Sequence, residues 1–374
     1  MVRSLLADRV AFYLPLLSGG GAERVMVELA NGFAKRGVQI DLVLAKAEGP
    51  YLKDVSGAVR LIDLGSRQSP IVPRSLPALT RYLARERPRV MLSAMTYTSV
   101  VAVLARKLAG VNTRLFVGEH NALSMTARHS SRRSERWKPF FLRWSYPRLD
   151  GVIAVSHGVA EDLSQVLGYP REQIRVIYNP VVTPTLLARA SETVAHPWFR
   201  PGEPPVIIGV GRLTKQKDFP NLIRAFSLLR AQRKVRLMIL GEGELRGELE
   251  AMVESLALND DVSLPGFVDN PFAYMRNAAV FALSSRWEGL PTVLIEAMAC
   301  GTPVVSTDCP YGPAEILEHG RWGRLVPVND PAALAAAIGE ALDDPDVARG
   351  SERAGDFVVD RAVQQYLAAF GLDT

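Results

Sequence analysis

Short runs of β-branched and aliphatic residues alternate with longer helix-periodic stretches along almost the whole chain, a rhythm that belongs to parallel sheets covered by helices. Arg9 to Leu17 reads as a first strand, Ala22 to Lys35 as a helix closed by Gly37, and Val38 to Ala45 as a second strand. Further strands are expected near 90–94, 114–118 and 151–155. A second series begins at 206–211 and continues near 235–240, 262–264, 278–283, 303–306 and 324–328. Between the two series, residues 180–205 hold six prolines and end in "WFRPGEPP", the composition of a linker. The chain therefore reads as α/β, with two doubly wound units. Its 374 residues, 48% of them apolar, are enough for two cores.

Charge and cysteine content exclude several classes of function. Cys300 and Cys309 are too few for a disulfide framework and lack His or Cys partners at metal-ligand spacing. The N-terminal apolar stretch ends at Ser18 with no small-residue cleavage site behind it, so a secretory signal is not expected. The least polar window, 90–105, is shorter than the roughly 20 residues a membrane span requires. The net charge of +5 is local: Arg128, Arg132, Arg133, Arg136, Lys138 and Arg143 stand against Glu135 alone. One basic patch on an otherwise neutral chain argues against a general nucleic-acid binder. In that patch Trp137, Phe140, Phe141 and Trp144 recur at helical steps. A helix there, starting or kinking at Pro139, would set an aromatic stripe beside a cationic one, as in a helix lying on an anionic bilayer. The alternative is that the aromatics are core and the arginines solvated.

Ligands of doubly wound sheets bind in the loops after the strands, and three such loops carry chemistry. In "LSGGGAERV" the glycines let backbone approach a ligand and the following helix offers free N–H groups to an anion. Gly19 and Gly21 match a dinucleotide fingerprint, but Arg24 stands where its third glycine should be, so an NAD site is poorly supported. A plain tight turn is the other reading. In "GVGRLTKQKDFPNLI", Arg212, Lys215 and Lys217 lie between a strand end and a helix with Pro220 in its first turn, a cationic site suited to a diphosphate. In "SSRWEGLPTVLIEAMACGTPVVST", Pro291 fits the first helical position and Leu290 the cap. A leucine side chain cannot accept a backbone hydrogen bond, so the first amides stay open. Glu288 and Glu296 flank this turn, with Glu296 roughly 7–8 Å along the helix from Pro291. They cannot bind one atom, so the pair reads as one acceptor for a sugar and one for a ribose, or as two surface residues.

The two acids, with seven residues between them, resemble the glutamate motif of retaining glycosyltransferases, and "EGLPTVLIEAMACGTPVV" is similar to the pattern of family 4. "SGGGAERV", "GEHN", "AVSHGVAEDL", "GVGRLTKQKDF", "ILGEGELR", "LPGFVDNP" and "GRLVPV" follow in the family's order, so the resemblance covers nearly the whole chain. It implies the GT-B fold, two Rossmann-like domains facing across a cleft. Residues 1–185 would be the acceptor domain, 186–205 the linker and 206–355 the nucleotide-sugar domain, with a helical segment 356–374 packing back on the first domain. Arg212 and Lys217 would hold the donor diphosphate, Glu296 the ribose and Glu288 the donor-sugar hydroxyls. Gly289, Leu290, Pro291 and Thr292 would meet sugar or phosphate through backbone, Val268 the base, and Gly19 and Gly20 the phosphate side of the cleft. His120, by itself more often a structural histidine, would reach the donor sugar.

The implied reaction moves a hexose or N-acetylhexosamine from a nucleotide diphosphate sugar, UDP-linked on the leaning given by "GPAEIL", to a hydroxyl of a glycan or lipid-linked glycan with retention. No cofactor and no metal are expected, since no Asp-x-Asp motif is present and the cations can neutralise the leaving group. The enzyme would be cytoplasmic, peripheral on the inner face of the membrane through 128–144, and without a nucleic-acid partner. The alternatives are a non-hydrolysing NDP-sugar epimerase, or a two-lobed sugar-binding module without turnover.

Overall fold

The computed structural model describes residues 9–67, 69–129, 138–344 and 349–372. The chain divides into two compact units, Met1–Pro180 with Val359–Thr374, and Val181–Val358. Both are built on a wholly parallel sheet, whose central strands are buried on both faces and so read as unbroken apolar runs.

Among the described residues the first unit holds seven strands: β1 (Arg9–Leu14), β2 (Gln39–Leu44), β3 (Arg60–Asp63), β4 (Val90–Ala94), β5 (Arg114–Glu119), β6 (Gly151–Ala154) and β7 (Ile174–Val176). They are ordered β3-β2-β1-β4-β5-β6-β7. The outermost strands, β3 and β7, were not expected from the sequence. They are three or four residues long and largely solvent-facing, so no apolar run announces them. The helix Val359–Phe370 lies in this unit's core, where Phe370 stacks against Phe33 and Phe116. It packs close to the helix Gly21–Lys35: a Cβ at Gly32 would lie 2.7 Å from Val363 Cγ2.

The second unit holds β8 (Val206–Val210), β9 (Arg236–Leu240), β10 (Val262–Gly266), β11 (Val280–Leu283), β12 (Val304–Thr307) and β13 (Arg324–Val326), ordered β10-β9-β8-β11-β12-β13. Strand order reverses between β8 and β11, which pair at Ile207–Val280 and Ile208–Phe281. Such a reversal leaves a crevice at the carboxyl ends of the two strands. Residues 186–205 are not a bare linker but part of this unit. Pro184 begins the helix Pro184–Ala190, capped by Thr183, and Pro197 begins a 3-10 turn, so two of the six prolines that suggested a connector are helix starters. Arg189 of that helix is paired with Asp269 at 2.6 Å. The chain enters and leaves the unit side by side, since Val181 and Val182 both donate to the Phe357 carbonyl.

Candidate functional site

The loops after β8 and β11 meet at the strand-order reversal and are joined by several hydrogen bonds and two ion pairs. Arg286 N donates to Gln216 O, Ser284 Oγ to Lys217 O, and Gln216 Nε2 to Trp287 O. Arg286 also grips the buried Asp218, Nε to Oδ2 at 2.8 Å. Asp218 sits at φ +48°, a left-handed conformation that aspartate tolerates better than most side chains, and it makes no helix-cap bond. The second ion pair is the chemical one: Lys217 Nζ lies 2.6 Å from Glu288 Oε1. Ser285 Oγ donates to the same oxygen at 2.7 Å, and Gln216 Nε2 reaches Oε2 at 3.4 Å. The two side chains are only 13% and 8% exposed, so this is an enclosed ion pair. Burial, then the charge of Glu288, pushes the neighbouring Cys309 thiol far up, leaving it un-ionised. Arg212 differs: it is exposed and makes no side-chain hydrogen bond or ion pair among the described residues.

The helix after β11 is Thr292–Ala299, with Pro291 at the cap rather than in the first turn, one residue later than the sequence suggested. Neither Pro291 nor Leu290 can cap with a side chain; Leu294 N turns to Pro291 O, and the amides of Thr292 and Val293 have no side-chain cap. Gly289, Leu290 and Pro291 form the turn leading to it. The segment after β12 seats this turn: Pro310 O accepts from Glu288 N, and Gly312, at φ +93°, approaches so closely that a Cβ there would lie 2.5 Å from Pro291 Cδ. Glu296 stands buried on the helix itself. On the other flank the loops after β8 and β9 touch through backbone: a Cβ at Gly241 would lie 2.0 Å from Gly211 O. Val268 follows β10, half-buried beside the exposed ring of Phe267. The second unit thus brings Arg212, Lys217, Glu288, Gly289, Leu290, Pro291, Thr292 and Glu296 to the β8–β11 end of its sheet, with Val268 at the sheet's β10 edge.

Gly19, Gly20 and His120 belong to the first unit. Gly20 caps the helix Gly21–Lys35, and its N–H is already engaged, donating to Glu23 Oε2 at 2.5 Å while Ser18 Oγ donates to Glu23 Oε1. His120 follows β5 and is buried, with neither ring nitrogen nor the adjacent Asn179 Oδ1 completing a hydrogen bond of sound geometry. Burial holds its pKa down at about 4, against a smaller opposing influence from Asn179, so the ring is neutral at pH 7. Next to it, Tyr146 donates a short hydrogen bond to the buried Glu119 at the end of β5.

Sequence reasoning missed Glu23, Gln216, Asp218, Ser285 and Arg286. Glu23 had a signal, the acid three residues after a helix cap. Gln216, Asp218 and Arg286 act through partners about 70 residues away, beyond any local pattern, and Ser285 bonds to Glu288 three residues on. In the basic segment, the helix Lys138–Ser145 leaves Phe140 and Phe141 exposed, but Trp144 turns to the core beneath Arg148, so the aromatics among the described residues do not share one face. Arg132, Arg133, Arg136 and Trp137 lie outside the described residues.

Each unit matches a known protein family. Residues 19–183 match the family described as Glycosyltransferase Family 4, and residues 191–355 match Glycosyl transferases group 1. An N-acetylgalactosamine-N,N'-diacetylbacillosaminyl-diphospho-undecaprenol 4-alpha-N-acetylgalactosaminyltransferase of Campylobacter jejuni is 30% identical over 345 residues, 90% of this chain and 91% of that protein. Sucrose-phosphate synthase from Thermosynechococcus elongatus superposes with a TM-score of 0.80 at 21% identity, over 98% of this chain and 100% of that one. HepE of Anabaena, crystallised in complex with UDP and glucose, gives 0.77 at 21% identity, over 97% and 99%. These likenesses show the GT-B fold, and with the relative that matches nine-tenths of its length the chain belongs to the family 4 glycosyltransferases.

Proposed function

We propose that this glycosyltransferase moves an N-acetylhexosamine or hexose from a UDP-linked donor to a hydroxyl of a lipid-linked glycan, with retention at the anomeric carbon and without a metal. The observation that carries the reading is the convergence of Arg212, Lys217, Glu288 and an uncapped helix end at the strand-order reversal of the second unit. Arg212 can fork onto a diphosphate, and Lys217 adds a second cation while the donor-sugar hydroxyls engage Glu288, so leaving-group charge is stabilised by protein groups alone. The open amides at Thr292 suit a phosphate or sugar oxygen. Glu288 accepts donor-sugar hydroxyls and Glu296 the ribose, while Val268 meets the base through backbone. The Campylobacter relative, named for a diphospho-undecaprenol substrate, supports a lipid-linked acceptor, and HepE with UDP supports the donor base. An acceptor of that kind places the enzyme at a membrane surface, which the exposed Phe140 and Phe141 fit.

The test is transfer from UDP-sugars to a polyprenyl-diphosphate glycan, with the new anomeric configuration read by NMR. The α-anomer should form from α-linked donor and persist in excess EDTA. Arg212→Ala should lower turnover by on the order of 100-fold, the scale of losing one well-placed group at developing charge. Inverted product, or activity abolished by EDTA and restored by magnesium, would contradict the reading.

A further inference from the structure

The hydrogen bonds of Glu288 exceed what a sugar ligand needs. Its Oε1 is committed to Lys217 Nζ at 2.6 Å and Ser285 Oγ at 2.7 Å, whereas Oε2 has only the distant Gln216 amide at 3.4 Å. An enclosed ammonium needs a counter-ion when no anion is bound, and Glu288 supplies it. The pair is electrically neutral, so an incoming diphosphate meets a lysine whose charge is already compensated.

The two nucleotides that visit such a site differ where Glu288 stands. A nucleotide sugar presents hydroxyl groups, which donate to a carboxylate. Free nucleoside diphosphate presents instead a terminal phosphoryl group with an extra ionisable oxygen, an acceptor facing an acceptor. We propose that Glu288 discriminates between them: by balancing Lys217 it withholds cationic charge from the free diphosphate and favours the intact nucleotide sugar, which speeds release of the spent nucleotide. The proposal rests on the donor-site reading above.

Isothermal titration with UDP, UDP-N-acetylgalactosamine, UDP-N-acetylglucosamine and UDP-glucose tests it without recourse to turnover. Wild type should bind the best of the three nucleotide sugars more tightly than UDP. Glu288→Gln keeps the shape but drops the charge, and should bind UDP about tenfold more tightly while the nucleotide sugar gains nothing or weakens, a shift at the low end of those measured for close charge pairs. Preference of the wild type for UDP over all three sugars overturns the proposal, as does a variant whose UDP affinity stays within twofold or whose ligands all shift by one factor. The first comparison needs no variant and so stands even if Glu288→Gln does not fold. Were the wild type to bind none of UDP, GDP or ADP, the donor site itself would be refuted, an outcome distinct from these.

Discussion

At the scale of single residues, His120 combines burial with two ring nitrogens that lack a hydrogen-bond partner, so its protonation should be readable in stability as well as in function. Its folded pKa of about 4 lies below the value of about 6.5 for an exposed imidazole. Between these limits the unfolded chain binds the proton and the folded protein does not. The neutral ring therefore costs no stability above about pH 6.5, and stability is lost as pH falls toward 4. In urea melts, His120→Gln should remove about 2 kcal/mol of the wild-type loss between pH 7 and roughly pH 5; equal losses in both proteins would mean that the ring is not held neutral. The loops that converge at the candidate site were legible in the sequence because each announces itself locally: a strand end, then glycine, then charge. The pairing of Lys217 with Glu288 was not, because it depends on β8 and β11 lying side by side although β9 and β10 intervene in the chain. Gly20 is a milder case, its amide answered by a glutamate three positions on.

Among the elements, the central strands were legible because burial on both faces leaves them purely apolar, while β3 and β7 escaped notice as short, wetted edges. Edge strand β3 is held by charge as well as by its ladder: Arg60 clasps the buried Asp41 through Nε at 2.9 Å and Nη2 at 2.5 Å, and Tyr82 donates to that carboxylate at 2.7 Å. The helix Lys138–Ser145 is where sequence and structure diverge most usefully. Leu142 is buried and Trp144 packs inward, leaving Phe140 and Phe141, 66% and 46% exposed and stacked edge-on, as its apolar outer surface. If this surface meets the bilayer, replacing both phenylalanines with serine should weaken co-sedimentation with anionic vesicles at least about tenfold, since each ring buried in an apolar phase contributes on the order of 1.5–3 kcal/mol. Equal pelleting of wild type and variant would remove the membrane role from this helix.

For the whole molecule, the decisive fact is that the chain crosses between its two units twice, at 180–181 and at 358–359. The proline-rich stretch is no bare joint, because Pro184 and Pro197 start helical turns within the second unit, and the return of 356–374 to the first unit was expected from the family resemblance alone, since nothing in its composition marks a crossing. A fragment ending at residue 180 lacks the helix that covers Phe33 and Phe116, so it should aggregate or remain molten, whereas 181–358 should fold alone. Circular dichroism and proteolysis of the two fragments would check this, and a cooperative, protease-resistant 1–180 would refute it. Adding a peptide of residues 359–374 should restore order to the first fragment. The same helix sets a timetable for the protein's birth. During synthesis the first half emerges from the ribosome early yet cannot close its core until residue 370 has been made, so the second half, although translated later, is the first to reach its native state.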